Sequence, residues 1–429
     1  MPRRPRLPRL PRVPRALRWL GRLIGLPVNE VRSYWVQESR SIRSGSLALA
    51  LGLSATLVAG IVLASAAERL GSVPGLLALI PAAIGMRGAI FGALGARLST
   101  GILTGQFDRR VTRTSYLGRQ IEAATILSVA SATQAGLIAW GISAALGLPT
   151  VPLLELIAIS LTGGILSSVV LLLVVIGMAR RAESVGFSMD DVGAPIITAT
   201  GDLVTLPALL VASLILEVPY LPAFVGILGL LGGTVAVIMG VRQRDSTIRR
   251  VVRESLVVLT IAVTVDVLAG VVVEGRATQQ FSAAALLVLL PPFIANCGSL
   301  GGMLASRLGS KLHVGQLAPR LVPGKLATLD FSLTSLLAVL AFTGVGVAGW
   351  LAAVVVPGVD ALPVLTTIGV VLLAGAFAVP ILALTAYAAA ATSFRFGFDP
   401  DNHGIPIVTA TMDLSGALCL LAAITLLPI

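Results

Sequence analysis

The sequence predicts an all-α polytopic membrane protein built from two copies of one helical unit, and three observations support this prediction. Charged residues make up 12% of the chain, about half of the roughly 25% found in soluble domains. Apolar runs of about 20 residues, the length that crosses a bilayer, recur along the whole chain. Two long segments are also repeated about 210 residues apart. A chain this apolar has too little polar side chain to cover a water-facing surface.

The internal repeat is visible without gaps in two separate segments. PAAIGMRGAIFGALGARLSTGILTGQ (81–106) aligns with PPFIANCGSLGGMLASRLGSKLHVGQ (291–316), and GFSMDDVGAPIITATGDL (186–203) aligns with GFDPDNHGIPIVTATMDL (397–414). Trp140 and Trp350 also coincide at this spacing. Because proline and tryptophan coincide in register, shared hydrophobicity does not explain the match, and we interpret it as duplication.

Eleven membrane-spanning helices are expected from the apolar runs. They cover residues 46–66, 75–101, 121–147, 152–178, 193–216, 220–240, 255–273, 282–306, 327–355, 363–390 and 405–427. The first five form one repeat and the last five the other, and the sixth has no counterpart. Five crossings reverse the side of the membrane, and one extra crossing restores it. The sequence therefore predicts two parallel five-helix repeats plus one linking helix, with a pseudo-two-fold axis along the membrane normal.

These expectations divide the chain into four segments. They are a basic Pro/Arg-rich N-terminal segment (1–45), the first transmembrane repeat (46–218), a linking helix and loop (219–254) and the second repeat (255–429). We expect the first segment to act as an orientation signal and to be disordered or to lie on the membrane surface.

The distribution of basic residues predicts the orientation. The net charge is +11, but eleven of the 31 basic residues precede residue 45, and most of the others fall in alternate loops. Only Arg69 and Arg276 fall in loops on the opposite side. Short loops rich in Lys and Arg stay in the cytoplasm. We therefore expect a multi-pass protein of the cell membrane with a cytoplasmic N-terminus and an extracellular C-terminus. The expected partner is the bilayer, not nucleic acid.

The fifth helix of each repeat contains the strongest candidate site. Asp202 and Asp413 occupy matching positions, and Thr198 and Thr409 lie one turn before them on the same helical face. A carboxylate inside the membrane costs free energy unless it meets protein, water or a cation. The pseudo-two-fold brings the two aspartates towards each other, and a divalent cation between them offsets both charges. We predict a metal site here.

Two other intramembrane residues are candidate ligands. Asp266 lies in the middle of the seventh span, in VLTIAVTVDVLAG, and is the best candidate for a second ion or proton site. Asn296 lies in the second helix of the second repeat, beside Gly298 and Gly302. Closely spaced glycines there fit either tight helix packing or a hydrated path lined by carbonyls and Asn296. Both readings stay open.

The prolines and several other residues of the spans lead to further predictions. Pro81 and Pro291 are expected to break the second helices and free backbone carbonyls, which is tolerated where they line a cavity. Glu122 and Asp330 lie near the ends of spans, where snorkelling or helix capping explains them. Cys297 and Cys419 indicate neither a disulfide framework nor a cysteine metal site.

These motifs resemble a known family over about residues 45–427. The pattern PxxxGxxGxxxGxLxxRLST, followed by PIxxxxGDLxTL, resembles the MgtE-type magnesium transporters, and most closely the eukaryotic solute-carrier branch, in which two such units are fused through an extra helix. The resemblance implies Mg²⁺ permeation at a pseudo-symmetric interface, with Asp202 and Asp413 as the membrane-embedded aspartates that coordinate the cation.

The chain also departs from that family's pattern. Members usually have Asn, and in the eukaryotic branch an acidic residue, within the glycine motif, where this chain has Ala89 and Phe91. Arg87 stands where that branch often has Lys, and we expect it to point towards acids or lipid headgroups, away from a cation path. The resemblance does not extend to the cytoplasmic Mg²⁺-sensing domains of bacterial MgtE proteins, so gating by those domains is not expected.

The sequence therefore predicts a divalent cation transporter or channel, with Mg²⁺ as transported substrate and no organic cofactor. Mg²⁺ dehydrates reluctantly and suits a site of one or two carboxylates with hydroxyls, carbonyls and water. One alternative is a transporter or exchanger of Mn²⁺, Co²⁺ or Na⁺. A Mg²⁺-dependent membrane enzyme using the DPDN segment at 399–402 is a weaker alternative, and no enzymatic activity is expected. A monomer is sufficient, and a homodimer is compatible.

Overall fold

A computed structural model of the chain describes residues 27–108, 110–185, 189–277, 283–313, 315–320, 322–355, 362–396 and 400–427. Residues 1–26, which hold most of the predicted basic segment, lie outside these ranges. The described part is helical, with short connecting turns and no strand.

The helices are numbered in chain order. They are α1 (Val28–Gln37), α2 (Ser39–Ser65), α3 (Ala67–Ser72), α4 (Leu76–Leu103), α5 (Tyr116–Ala145), α6 (Leu153–Val185), α7 (Met189–Ser213), α8 (Leu221–Arg242), α9 (Ser246–Ala277), α10 (Ala283–His313), α11 (Lys325–Val355), α12 (Val364–Arg395) and α13 (Pro400–Leu426), with a 3₁₀ turn at Leu214–Glu217.

The prediction of eleven membrane-spanning helices is confirmed. Among the described residues, α2 and α4 to α13 are each long and apolar enough to cross a bilayer. The largest difference in bounds is α9, which begins at Ser246 and not near residue 255. Its first turns carry Arg249, Arg250 and Arg253, which a hydropathy criterion excludes from a span but which a helix end at the headgroup level accommodates.

The first helix of each repeat packs against the other repeat. α2 packs most extensively on α10 of the second repeat and also contacts α11 there and α7 of its own repeat. In the same way, α9 packs on α4 and α5 of the first repeat and, less extensively, on α13 of its own. A Cβ on Gly60 of α2 would lie 2.5 Å from the carbonyl oxygen of Val288, and a Cβ on Gly270 of α9 would lie 2.5 Å from that of Ala78. These four residues match in the internal alignment. The paired contacts are those of a two-fold relation between two repeats that exchange their first helices.

The third and fourth helices cross in the same way within each repeat. A Cβ on Gly136 of α5 would lie 2.8 Å from the Cα of Ile157, and a Cβ on Gly346 of α11 would lie 2.8 Å from the Cα of Ile368. Close backbone approach through small residues is the main way in which helices associate in lipid, where burying apolar surface gives no advantage.

The short helix α1 is tied to the second repeat by one buried carboxylate. Asp330 of α11 is fully buried and accepts hydrogen bonds from the Tyr34 hydroxyl (2.5 Å), from Arg307 Nη2 (2.9 Å) and from Lys311 Nζ (2.6 Å). Burial and the bond to Asp330 raise the pKa of Tyr34 well above its usual range, so that the phenol stays protonated and donates. The prediction that Asp330 snorkels or caps a helix is wrong, because three donors hold it inside.

We predict that the crossing at Gly60 tolerates no side chain. Gly60→Leu should lower the free energy of unfolding by about 3 kcal/mol or more, because the obstacle is backbone that cannot repack. The control is Gly52→Leu on the same helix, where a Cβ meets no atom within 4 Å. Size-exclusion profiles and thermal midpoints in detergent measure both, and an unchanged midpoint for Gly60→Leu would contradict the crossing.

A second prediction concerns Tyr34. Tyr34→Phe removes one donor to a buried carboxylate, and should lower the free energy of unfolding by about 2 kcal/mol. Tyr220→Phe is the matched control, because Tyr220 is 90% exposed. Thermal unfolding followed by tryptophan fluorescence tests this, and equal midpoints for the two variants would exclude a stabilising role for the Tyr34 hydroxyl.

Candidate cation site

Five helices of both repeats converge at the centre of the molecule. α9 and α13 of the second repeat pack along each other, and α13 also reaches α4 of the first repeat. α7 packs on α4, as α13 packs on α10. The crossing of α9 on α4 is reinforced at one end by Glu274, whose carboxylate accepts from the backbone N–H groups of Gly75 (2.6 Å) and Ala78 (3.0 Å) at the start of α4.

The central feature of this region is a pair of carboxyl groups. Asp266 of α9 and Asp413 of α13 lie side by side, since Oδ2 of each lies within 4 Å of the point that a Cβ on Gly85 would occupy. Two neighbouring carboxyl groups inside the membrane are mutually unfavourable unless one carries a proton or a cation compensates their charges. Asp266 is 1% exposed, while Asp413 is partly exposed. Asp413 is therefore the more accessible residue of the pair.

Gly85 of α4 makes room for this pair. A Cβ at Gly85 would collide with Oδ2 of Asp266 and would lie 3.7 Å from Oδ2 of Asp413. The glycine motif of the first repeat thus lies directly against acids of the second repeat, across the interface.

Asp202 of α7 is the third acid of the region. It is 6% exposed and lies close enough to Asp413 for the two carboxyl groups to interact electrostatically. Among the described residues, no three Asp, Glu, His or Cys side chains are close enough to hold a metal ion by direct contact alone. The structure therefore brings the two predicted aspartates towards each other without placing them in contact.

The predicted threonines and Asn296 are placed differently from one another. A Cβ at Gly298 would lie 3.7 Å from Cγ2 of Thr409 and 3.9 Å from Oδ1 of Asp413, so Thr409 and Asp413 flank the same glycine. Thr198 is exposed. Asn296 is buried, and its Nδ2 donates to the carbonyl oxygen of Pro292 one turn earlier (2.8 Å).

Some glycines of these helices allow close helix packing, and others border open space. Gly301 packs closely, since a Cβ there would lie 2.6 Å from Val408 Cγ1. At Gly88 and Gly92 of α4, a Cβ would meet no atom within 4 Å. The expectation that Pro81 and Pro291 break their helices is wrong, because α4 and α10 continue through them. Both prolines are thus accommodated inside continuous helices. The open space beside α4 comes from its glycines, which carry no side chain.

The site is less symmetric than the sequence repeat. Thr56 of α2 occupies the position that matches Asp266, and its Oγ1 donates to the carbonyl oxygen of Gly52 (2.9 Å). The sequence marks Asp266 as a candidate but does not place it beside Asp413. The exchange of first helices, which decides this contact, leaves no signal in a single sequence.

Arg87 does not take the orientation expected from sequence. It is fully buried, and its Nε donates to Ser167 Oγ on α6 (3.1 Å). Its Nη1 and Nη2 have no hydrogen-bond partner among the described residues. The guanidinium points into the first repeat between α4, α5 and α6, where no acid of the described part of the chain pairs with it.

Comparison with known proteins identifies the family. The sequence profile described as MgtE, divalent cation transporter, matches residues 80–212 and 290–423, one match in each repeat. Solute carrier family 41 member 3 of Rattus norvegicus is 26% identical over 380 residues, covering 81% of this chain and 79% of the relative. Its namesake in Mus musculus is 26% identical over 373 residues, covering 80% and 74%. No solved structure matches the chain.

The family profile covers more than half of the chain and falls on the two repeats that the internal alignment defines. Its two matches contain α4 to α7 and α10 to α13, which carry both predicted aspartates. The resemblance inferred from the glycine and aspartate motifs is thereby confirmed. The chain belongs to the MgtE family of divalent cation transporters.

Proposed function

We propose that this divalent cation transporter carries Mg²⁺ along the interface between its two repeats, where Asp413, Asp266 and Asp202 bind the ion. The observation that supports this most directly is the close approach of Asp266 and Asp413 beside Gly85. Two acids from different helices meet inside the membrane, with Asp202 in electrostatic range. A buried cluster of this kind is costly unless a proton or a cation compensates it.

The spacing of the carboxyl groups suits a hydrated ion. Mg²⁺ keeps several waters and is usually held by one or two carboxylates. The described acids do not form a direct three-ligand cage, so contacts from Asp202 and Thr409 would run through the water shell. Selectivity then depends on the width of the space and on hydrogen bonds to the bound waters.

The path to the site follows the glycine face of α4. Gly88 and Gly92 lie one and two turns beyond Gly85, and no atom lies within 4 Å of a Cβ built at either position. The partial exposure of Asp413 fits access from this open space. Carboxylates in a narrow, low-dielectric passage attract cations by focusing the electric field.

The orientation follows from the loops. The turns at the end of the bundle that contains α1 carry most of the basic residues, among them Arg110, Arg113, Arg242, Arg244 and Arg320. By the positive-inside rule, this end faces the cytoplasm, and the protein lies in the cell membrane with its C-terminus outside. One chain contains both repeats, so a monomer is sufficient for one pathway.

Other cations are the main alternative. Hard oxygen ligands disfavour soft metals but accept Mn²⁺, and exchange of Mg²⁺ against Co²⁺, Mn²⁺ or Na⁺ would use the same site. Competition by each ion in the flux measurement below separates these cases. An enzyme acting on a diphosphate would need several acids converging on one metal cluster, which the described residues do not form.

The first test is Mg²⁺ uptake into proteoliposomes containing purified protein. Asp413→Asn and Asp202→Asn should each reduce the rate at least about tenfold, because even about 1.4 kcal/mol of lost stabilisation of the bound cation is a factor of ten. The variants keep the shape of the side chain, so folding should be retained.

Asp108→Asn is the matched control for that test, because Asp108 is exposed in the turn after α4. Its uptake rate should equal that of the wild type. Flux that survives both interior substitutions would show that the cation passes elsewhere. Absence of wild-type flux for Mg²⁺, with flux of another cation, would change the substrate and leave the site in place.

A further prediction tests the path independently of charge. Gly88→Leu should abolish uptake with little effect on the thermal midpoint, because the added side chain enters open space beside the acids. Gly177→Leu is the control, since Gly177 is exposed on α6 and a Cβ there also meets no atom within 4 Å. Normal uptake by Gly88→Leu would place the path outside this face of α4.

A further inference from the structure

A second polar site lies inside the first repeat, away from the acids. Arg87 extends from α4 towards α6, and a Cβ on Gly164 would collide with its Nη2. The Cβ of Ala132 on α5 lies 3.0 Å from the position that this Cβ on Gly164 would occupy. The guanidinium therefore fits because Gly164 and Ala132 are small, and it is enclosed by three helices at 0% exposure.

The positive charge at this site is not compensated by the described protein groups. Nε donates to Ser167 Oγ, and Ser167 Oγ itself donates to the carbonyl oxygen of Gly163 (2.8 Å). Nη1 and Nη2 have no acceptor, and no described carboxylate pairs with Arg87. Burying an unpaired charge is among the most costly arrangements in a membrane interior.

Buried hydroxyl groups also lie on α5 and α6, two of the helices that enclose the guanidinium. Ser160 of α6 lies one turn before Gly164, and its Oγ donates to the carbonyl oxygen of Ala132 (2.6 Å). On α5, Ser128 lies one turn before Ala132, and Ser131 lies one turn after Ser128. Both serines are buried, and their Oγ atoms have no partner among the described groups. Guanidinium N–H and serine O–H groups are hydrogen-bond donors, and Nη1 and Nη2 of Arg87 and the two serine hydroxyls lack an acceptor among the described residues.

The second repeat shows that the fold does not require this polarity. Its matching positions are apolar or weakly polar: Cys297 for Arg87, Ala338 for Ser128, Ala341 for Ser131, Phe342 for Ala132, Val371 for Ser160 and Ala378 for Ser167. There the ring of Phe342 fills the space beside Gly375, the match of Gly164, and stacks on Phe293 with ring centroids 4.9 Å apart. The same helix crossing is thus built without any buried charge.

We propose that Arg87, oriented by Ser167 and assisted by the hydroxyls of Ser128 and Ser131, binds a small monovalent anion of the halide class inside the first repeat. An anion supplies the acceptor that two guanidinium nitrogens and two hydroxyls lack, and charge-assisted hydrogen bonds are the strong ones. A single arginine without a second cation balances one negative charge. Complete burial excludes a lipid headgroup, and the enclosing helices favour a monatomic ion. Nothing in this proposal depends on where the transported cation passes.

The test is a stability titration of the full-length protein in detergent, with EDTA present so that cation binding does not contribute. Sodium gluconate, too large to enter, is replaced by sodium chloride or sodium bromide at constant ionic strength. The midpoint of thermal unfolding should rise saturably with halide, because a ligand that binds only the folded state stabilises it in proportion to the logarithm of its excess concentration.

Two sets of variants locate the effect. The triple variant Arg87→Cys, Ala132→Phe and Ser167→Ala copies the packing of the second repeat, and its midpoint should not respond to halide. The double variant Ser128→Ala and Ser131→Ala keeps the charge and should need about tenfold more halide for half of the shift. Arg250→Met removes an exposed charge and should titrate as the wild type does.

The proposal is overturned if the wild type shows no saturable halide shift, or if the triple variant shifts equally. It is also overturned if sulfate or phosphate saturates the effect and halide does not. Should the triple variant fail to fold, the double variant decides, since unchanged halide dependence there excludes the site. The titration contains no divalent cation, so its failure leaves the proposed Mg²⁺ pathway untouched, and failure of Mg²⁺ uptake leaves the anion site untouched.

Discussion

The structure depends on one close backbone crossing that is made twice. Gly60 on the first helix of one repeat and Gly270 on the first helix of the other each approach a carbonyl oxygen of the opposite repeat. In lipid the hydrophobic effect does not drive helices together, and close van der Waals contacts of this kind stabilise their packing instead. Because the first helices are exchanged, neither repeat completes its own bundle, and the interface at the centre of the molecule is built from both. The buried carboxyl groups lie along this interface, so the same crossing that assembles the protein also places its acids.

The two repeats have kept their packing and changed their chemistry. The paired glycine contacts agree closely between the halves, whereas the polar groups do not. Asp266 is matched by Thr56, so the second repeat alone contributes two acids to the centre. Arg87 is matched by Cys297, so the first repeat alone carries a buried guanidinium. Packing contacts constrain both copies equally because each must associate with the other. Polar side chains are under no such constraint, and one copy of each suffices for the proposed central pathway and for the pocket proposed around Arg87.

Buried charges of opposite sign therefore lie in one molecule without pairing. Asp266, Asp413 and Asp202 face the interface, while Arg87 points away from it into the first repeat. Gly164 and Ala132 permit this orientation by leaving space between α5 and α6. An arginine pointing into the interface would neutralise the acids and oppose the entry of a cation. Because Arg87 points away, the central carboxyl groups are not paired with it. The free-energy cost of burying its charge arises instead in the pocket between α4, α5 and α6.

The sequence by itself determined the membrane class, the eleven spans, the duplication and the repeated positions of Asp202 and Asp413, because hydropathy, proline and tryptophan register and repeated acids are local patterns. It also marked Asp266 as a candidate, since an acid in the middle of an apolar span needs a reason. The tertiary structure alone decided that Asp266 meets Asp413, that Gly85 lies against them and that Arg87 turns away. These contacts join residues far apart in the chain, and those of Asp266 depend on which bundle each first helix enters. The duplicated sequence is compatible with a first helix that packs in its own repeat or in the other repeat. Only the packing of the helices selects between these two arrangements.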